Sequence, residues 1–246
     1  MKNTITLGDD EVELVNSSFM MRVFYSFVVL ALLSIAISVG GKWFGKSVSL
    51  AGHTEDTTTH EIVIGNDVIA APANAIRFQG ARRDGIAERL DLYLRWPDMR
   101  GYSAETRDDF NHVGGSRRIL FLTFEQRTMS RDMSGRLEPI YRSLIEGKGT
   151  SAPGGLLLYQ FKANSGYLNE VLAVAESATG QPFVARCLVG PSAEESLAPC
   201  ERDIHVGDNL SLTYRFPREL LQGWRAMEAA VLARAGDFVR TAHQQR

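Results

Sequence analysis

VFYSFVVLALLSIAISVGG, residues 23–41, runs nineteen positions without a charge. At 1.5 Å per residue a helix of that length is about 28 Å long, the thickness of a bilayer's hydrocarbon core. The stretch therefore reads as a transmembrane helix. Arg22 bounds it on one side and Lys42 on the other, with Trp43 and Phe44 placed as interfacial aromatics. A helix buried in a globular core rarely runs this long without a polar face. A cleaved signal peptide would open with a short basic region. Here 22 residues precede the apolar run and include Asp9, Asp10, Glu11 and Glu13. The nearest small-x-small site, Ser49-Leu50-Ala51, comes too far downstream for cleavage. The reading is an uncleaved signal-anchor, with residues 1–22 as a tail, 42–60 as a polar linker containing TEDTTTH, and 61–246 as one folded domain.

Orientation rests on two observations. The tail carries Lys2, Arg22 and the α-amine against Lys42 and Lys46 beyond the helix, a thin positive-inside margin. The chain has two cysteines, Cys187 and Cys200, separated by a stretch containing Gly190, Pro191 and Pro199. With no CxxC and no histidine at metal-ligand spacing, the pair fits a loop-closing disulfide better than zinc, although two unrelated reduced thiols remain an alternative. A disulfide needs an oxidising compartment. The expectation is a cytosolic N-terminus and a C-terminal domain outside the cytoplasm, in the periplasm of a bacterial source.

Beyond the linker the pattern is mostly strand. EIVIGNDVIAAPANAIRF, residues 61–78, holds two β-rich runs around the hairpin signal Gly65-Asn66-Asp67. Leu90, Leu92, Leu94 and Trp96 alternate with charged residues as in a half-buried strand, and Ile119–Phe124 is a nearly continuous apolar run. Further runs, LLLYQFKAN, GYLNEVLAVAES, QPFVARCLVG, CERDIHV and NLSLTYRF, are separated by turn residues at short intervals, the mark of an antiparallel meander. Two helices are expected. One covers 134–146, with Ser134 as N-cap and Leu137, Tyr141, Leu144 and Ile145 on one face; the other runs from Pro217 to about Arg240, with Leu220, Trp224, Met227, Val231, Ala235 and Phe238 on one stripe. The fold class is α+β, a mainly antiparallel ectodomain with a C-terminal amphipathic helix. Residues 97–116 read as a surface excursion.

Composition narrows the partners. The formal net charge is −2, and without the tail 25 basic face 25 acidic groups, so nothing global attracts nucleic acid. Arg82-Arg83 and Arg117-Arg118 are local basic pairs. The expected partners are the bilayer, through residues 23–41, and an envelope protein or a second copy. Ser34-x-x-x-Ser38 and Ala36-x-x-x-Gly40 are small-residue spacings that permit close helix approach.

The motifs that carry chemistry elsewhere do not hold up. Gly40-Gly41-Lys42-Trp43-Phe44-Gly45-Lys46-Ser47 matches the P-loop spacing, but it follows a membrane span rather than a short buried strand, and Trp43 and Phe44 fill a loop that normally stays small. His60-Glu61 begins like H-E-x-x-H, but residue 64 is Ile. His53, His112, His205 and His243 have no helical metal-ligand spacing. Asp98, Glu105, Asp108 and Asp109 are the candidate carboxylates for acid–base work. No catalytic residue, cofactor or metal is expected.

An acidic tail, a single anchor, E-I-V-I-G-N-D-V-I-A-A-P-A-N-A-I-R-F after the linker, and C-E-R-D-I-H-V followed by W-R-A-M-E near the end together resemble a group of alphaproteobacterial transmembrane-anchored proteins. The resemblance implies an inner-membrane protein with a periplasmic domain and supplies no catalytic residues. The leading expectation is a non-enzymatic interaction or assembly protein of the cell envelope. The alternatives are a tethered binding domain for a small ligand or envelope polymer, with Trp96, Tyr102, Arg82 and Arg83 as candidate surface, and an envelope hydrolase using the 98–109 carboxylates.

Overall fold

The computed structural model describes residues 17–50, 52–176 and 180–240, with side chains through Ser38 in the first stretch. It divides into two units, 1–52 and 53–246. Among the described residues, the first holds one helix, α1 (Ser17–Leu50), 34 residues long. Within it Ser17–Ser38 is apolar and long enough to cross a membrane, and none of it is buried by protein. The apolar run dictates this: no Pro breaks it, and large side chains project all round rather than along one stripe. The helix extends beyond the uncharged run to include Arg22, whose carbonyl accepts from Ser26 Oγ at 2.9 Å. Lys42, Trp43 and Phe44 belong to the same helix, but their side chains lie outside the described residues. So does the acidic tail. Residues 40–47 are helical, so the P-loop spacing falls on no loop.

Among the described residues, the second unit contains eleven strands. β1 (Thr59–Ile64) and β2 (Asp67–Pro72) form the expected hairpin, in which Ile64 pairs with Asp67. Gly65 supplies the positive φ of 61° that such a two-residue turn asks of its first central residue. β3 (Gly85–Ile86) runs parallel to β1 on its other side, giving a small sheet ordered β2-β1-β3. The large sheet comprises β4 (Arg89–Arg95), β5 (Ile119–Gln126), β6 (Ile145–Ala152), β7 (Leu156–Phe161), β8 (Glu170–Ala175), β9 (Phe183–Leu188), β10 (Cys200–Val206) and β11 (Leu210–Phe216). Its order is β4-β5-β11-β10-β9-β8-β7-β6, and every pair is antiparallel. The period of two sends Leu90, Leu92, Leu94, Leu120, Leu122, Phe124, Leu210, Leu212, Tyr214 and Phe216 to one face, where they join the main core. The helices after α1 are α2 (Arg107–Phe110), α3 (Arg142–Leu144), α4 (Pro191–Glu195) and α5 (Trp224–Phe238). Trp224, Met227, Val231, Ala235 and Phe238 of α5 close the core on that face, as their spacing predicts. Pro217 is followed first by a 3-10 turn, Arg218–Gly223.

The large sheet is nearly two sheets. Only Cys187↔Cys200 and Arg186↔Glu201 pair β9 with β10, and the disulfide Cys187–Cys200 links one of those two rungs. Closing a loop of that length is worth about 3 kcal/mol in the chain-entropy account. Beyond those rungs β10 leaves β9, and the backbone groups left behind find side chains. Arg202 Nη1 donates to the Val184 carbonyl at 2.9 Å, and Ser134 Oγ donates to the Pro182 carbonyl at 2.6 Å.

Two expectations need correction. Ser134 serves this seam rather than capping a helix. The expected helix over 134–146 is a π-turn, Leu137–Tyr141, followed by the short α3, and Ile145 already belongs to β6. Pro139 removes one N–H from the helical ladder, and Tyr141 N–H reaches back to Arg136 instead. Leu137 and Tyr141 still bury their side chains, with Met133, against Tyr159, Leu172, Val174 and Val184 on the opposite face of the sheet.

The expected linker is the second correction. Residues 42–50 are helical, and 53–58 are woven into the folded unit: Ala73 N–H donates to the Thr58 carbonyl, Asn74 N–H to the Asp56 carbonyl, and Ala104 N–H to Glu55 Oε1, each at 2.8 Å.

Three of the four sheet edges are closed to a further strand. Val239 bridges to Ile69 and Arg240 N–H donates to Val68, covering β2. Ile76 bridges to Leu92 along β4. The edge strand β6 breaks register between Glu146 and Thr150, with Lys148 between two glycines of positive φ. Among the described residues, nothing bonds the outer side of β3.

Candidate functional site

The residues singled out from sequence do not form one surface. Tyr102 is only 2% exposed. Its ring stacks on His53 at 4.6 Å between centroids, and Tyr93 and Phe110 complete an aromatic box around that imidazole. The excursion 97–116 thus contributes core through Met99, Tyr102 and Phe110, because a chain that recrosses the sheet must bury its own apolar groups. Gly101 permits the crossing: a Cβ there would stand 2.6 Å from the Asn74 backbone. Trp96 is half-buried against the main core. Arg82 is half-buried too, and its Nε donates to the Ile76 carbonyl at 3.1 Å. Arg83 alone of the four is exposed.

Within the box, His53 Nδ1 lies 3.0 Å from the Tyr93 hydroxyl. Burial, aided by the charge of Arg82 and by His112, holds the His53 imidazole below its ordinary pKa, while a hydrogen bond to Asn111 opposes the shift. Burial also pushes the Tyr93 phenol up to about 12. A base whose native pKa is depressed disfavours proton uptake in the fold. Its penalty is absent above about pH 6.5 and grows as pH falls toward the native value. The melting temperature of the domain is therefore expected to fall between pH 7.5 and pH 5.5, and His53→Gln to flatten that slope. Equal slopes in the two proteins would dismiss His53 as the cause.

The carboxylates are divided. Asp98 accepts from Arg95 Nη2 at 2.7 Å, and Asp109 stands 3.4 Å from Nη1 of the same guanidinium. Ser116 Oγ donates to Asp109 at 2.6 Å, and this bond, with Arg95 and Arg118 adding, keeps the Asp109 carboxyl below the usual range. Glu105 and Asp108 point into solvent. Two carboxylates gathered on one arginine differ from a pair facing across a cleft, where one must hold a proton. Among the described residues, no group of three or more His, Cys, Asp or Glu could hold a metal ion.

A more distinctive place is the open edge at β3, which pattern reading missed because the strand is two residues long. Ile86 is 89% exposed there. Crevices open on both sides of it. One, of about 190 Å³, is lined by Ile62, Arg83, Asp84, Arg89 and Leu90 among others; the second, of about 530 Å³, by Ile64, Ala87, Glu88, Glu125 and Gln126 among others. Most of the nearby charge is already spent. Asp84 accepts from Glu61 N–H at 2.9 Å, and Arg89 pairs with Asp91 and Glu125. Arg83 and Glu88 are exposed and make no side-chain hydrogen bond or ion pair among the described residues. The site is thus an apolar residue on an unpaired strand edge, with one uncommitted cation before it and one uncommitted anion after it.

No family model matches the chain, and no curated protein does. Among solved structures, an immunity protein of the Stenotrophomonas maltophilia type IV secretion system is 15% identical with a TM-score of 0.47, over 73% of this chain and 92% of that one. The iron-regulated outer membrane lipoprotein FrpD of Neisseria meningitidis is 10% identical with a TM-score of 0.46, over 76% and 95%.

Proposed function

We propose that this chain is a single-pass protein of the bacterial inner membrane whose periplasmic domain docks another envelope component as an assembly subunit, without catalysing a reaction. The location is supported by the apolar helix Ser17–Ser38 together with a disulfide in the following unit, a bond that persists in oxidising compartments. The resemblance to alphaproteobacterial transmembrane-anchored proteins leads to the same place. In this reading residues 1–22 face the cytosol and the bilayer contacts the chain through residues 23–41. The observation that carries the docking role is the unpaired outer edge of β3, which among the described residues nothing bonds and which carries Ile86, 89% exposed, between two crevices.

The test is in-cell crosslinking of the tagged full-length protein, read on a denaturing gel and by mass spectrometry. A discrete crosslinked species is expected, and Ile86→Asp should reduce it at least tenfold at unchanged protein level. A protein that stays monomeric under crosslinking overturns the docking role. Topology is read separately: Leu168→Cys, at a residue 71% exposed, should be labelled by a membrane-impermeant maleimide in intact cells, and labelling only after lysis would place the domain in the cytosol.

A further inference from the structure

We infer that the open face of the large sheet at β5 and β11 receives a carboxylate-bearing segment of another protein, held by Arg77 and Arg215 around Phe121. This surface is separate from the β3 edge. The period of two that sends Leu120 and Leu122 into the main core sends Phe121 to the other side, where Tyr93 of β4 and Arg215 of β11 stand opposite it. The layers on either side stop short of it. The aromatic box around His53 packs on Tyr93, and the cluster of Leu137 and Tyr141 packs on β7, β8 and β9. Between them Phe121, Thr123 and Thr213 are only half-buried, and Arg215 is exposed.

The charges of this face set its chemistry. Its carboxylates already have arginines: Asp91 and Glu125 share Arg89, and Asp203 pairs with Arg136. Glu201 stands opposite Arg215 but pairs with Arg186. Arg77 and Arg215 make no side-chain hydrogen bond or ion pair among the described residues. They share one ring instead. Their guanidinium carbons lie 4.9 and 5.8 Å from the Phe121 centroid, and that of Arg77 is also 5.1 Å from the centroid of Phe78, which is 51% exposed. A ring steadies a guanidinium through its π face and leaves the N–H donors free. The two forks are therefore available to take carboxylates, the mode by which arginine clusters read acidic segments. A polyanion or an anionic lipid surface would also press on the four carboxylates fixed around them. A short segment with two carboxylates and an apolar group between them meets both arginines and Phe121 and avoids the rest.

The probe is a fluorescein-labelled peptide, Gly-Glu-Leu-Glu-Gly, titrated with the full-length protein in mild detergent and read by fluorescence anisotropy. Its glutamine counterpart, Gly-Gln-Leu-Gln-Gly, is the control. The acidic peptide should bind about tenfold more tightly than the control, since only carboxylates form charge-assisted pairs with the two forks. Arg77→Gln and Arg215→Gln should each weaken it about fivefold. Arg127→Gln, at an exposed arginine just past the end of β5, should leave it unchanged. Equal affinity for the two peptides, or equal loss at all three arginines, overturns the proposal. Inorganic polyphosphate that displaces the acidic peptide and binds more tightly than it does would give the face to polyanions in general and overturn the assignment to a protein segment. Ile86→Asp should leave the peptide affinity unchanged, so this result stands or falls separately from crosslinking at the β3 edge.

Discussion

Replacing Trp224 by Ala is expected to cost about 4 kcal/mol of stability, near the middle of the range for removing a large buried aromatic. Trp224 is 1% exposed and opens α5. Its ring stacks on Phe183 of β9 at 4.5 Å, its Nε1 donates to the Gly154 carbonyl at 3.1 Å, and Arg225 lies over its face at 4.5 Å. Truncation removes the stack, leaves a cavity at the start of the helix, and takes one donor from Gly154, which keeps Arg225 Nη1 at 3.2 Å. For a domain of this size, a loss near 4 kcal/mol lowers the melting temperature by about 8–16 °C. Leu232 on the same helix is the control: it is 47% exposed, and Leu232→Ala should change stability by less than about 0.5 kcal/mol. Similar losses at the two positions would sink the view that α5 closes the core with one face.

The second large effect belongs to the seam between β9 and β10. Arg202 is 5% exposed. It donates to Glu228 from Nε at 3.0 Å and from Nη2 at 2.6 Å, to Ser134 Oγ and the Val184 carbonyl from Nη1, and lies over the Phe183 ring. Arg202→Met keeps volume but strands the Glu228 carboxylate and the Val184 carbonyl together. Breaking a buried pair from one side costs about 3–5 kcal/mol, mostly as the penalty on the charge left behind. Removing both charges, as Arg202→Met with Glu228→Leu, should recover at least half of that loss, and a double-mutant cycle from urea midpoints measures the coupling. A double variant no more stable than Arg202→Met alone would place the cost in Val184 and Ser134 rather than in the ion pair.

Much of this architecture is legible in the chain because single, local signals dominate. The uncharged run at 23–41 admits one kind of helix. The stripe from Trp224 to Phe238 has the helical period and no Pro inside it, and Gly65-Asn66 lies between two runs of β-branched residues. The reading is less accurate where a local pattern competes with a constraint from elsewhere. Residues 134–146 have helical spacing, but Pro139 interrupts the ladder and Ser134 is drawn to a carbonyl 48 positions away. Polar residues 53–58 look like linker until the strand partners that bind their backbone are known. Tyr102 and Arg83 belong to one sequence neighbourhood and to different environments, since the first turns into an aromatic box and the second lies beside an open edge. That edge stands out only once the edges of β2 and β4 are covered and that of β6 is broken, and no window of sequence contains that information.

The sheet order also implies a sequence of assembly. Strands β6 to β9 pair with their immediate neighbours, so each rung closes a short loop, whereas the Leu210↔Gln126 rung of β11 on β5 must bring together segments separated by all of residues 127–209. Loop-closure entropy delays pairings of that second kind. Cys187 and Cys200 face each other between β9 and β10, and both are fully shielded once the core is complete. An oxidant therefore has to reach these thiols while the chain is still open, which makes bond formation at this position a step of biogenesis and not a modification of the finished protein.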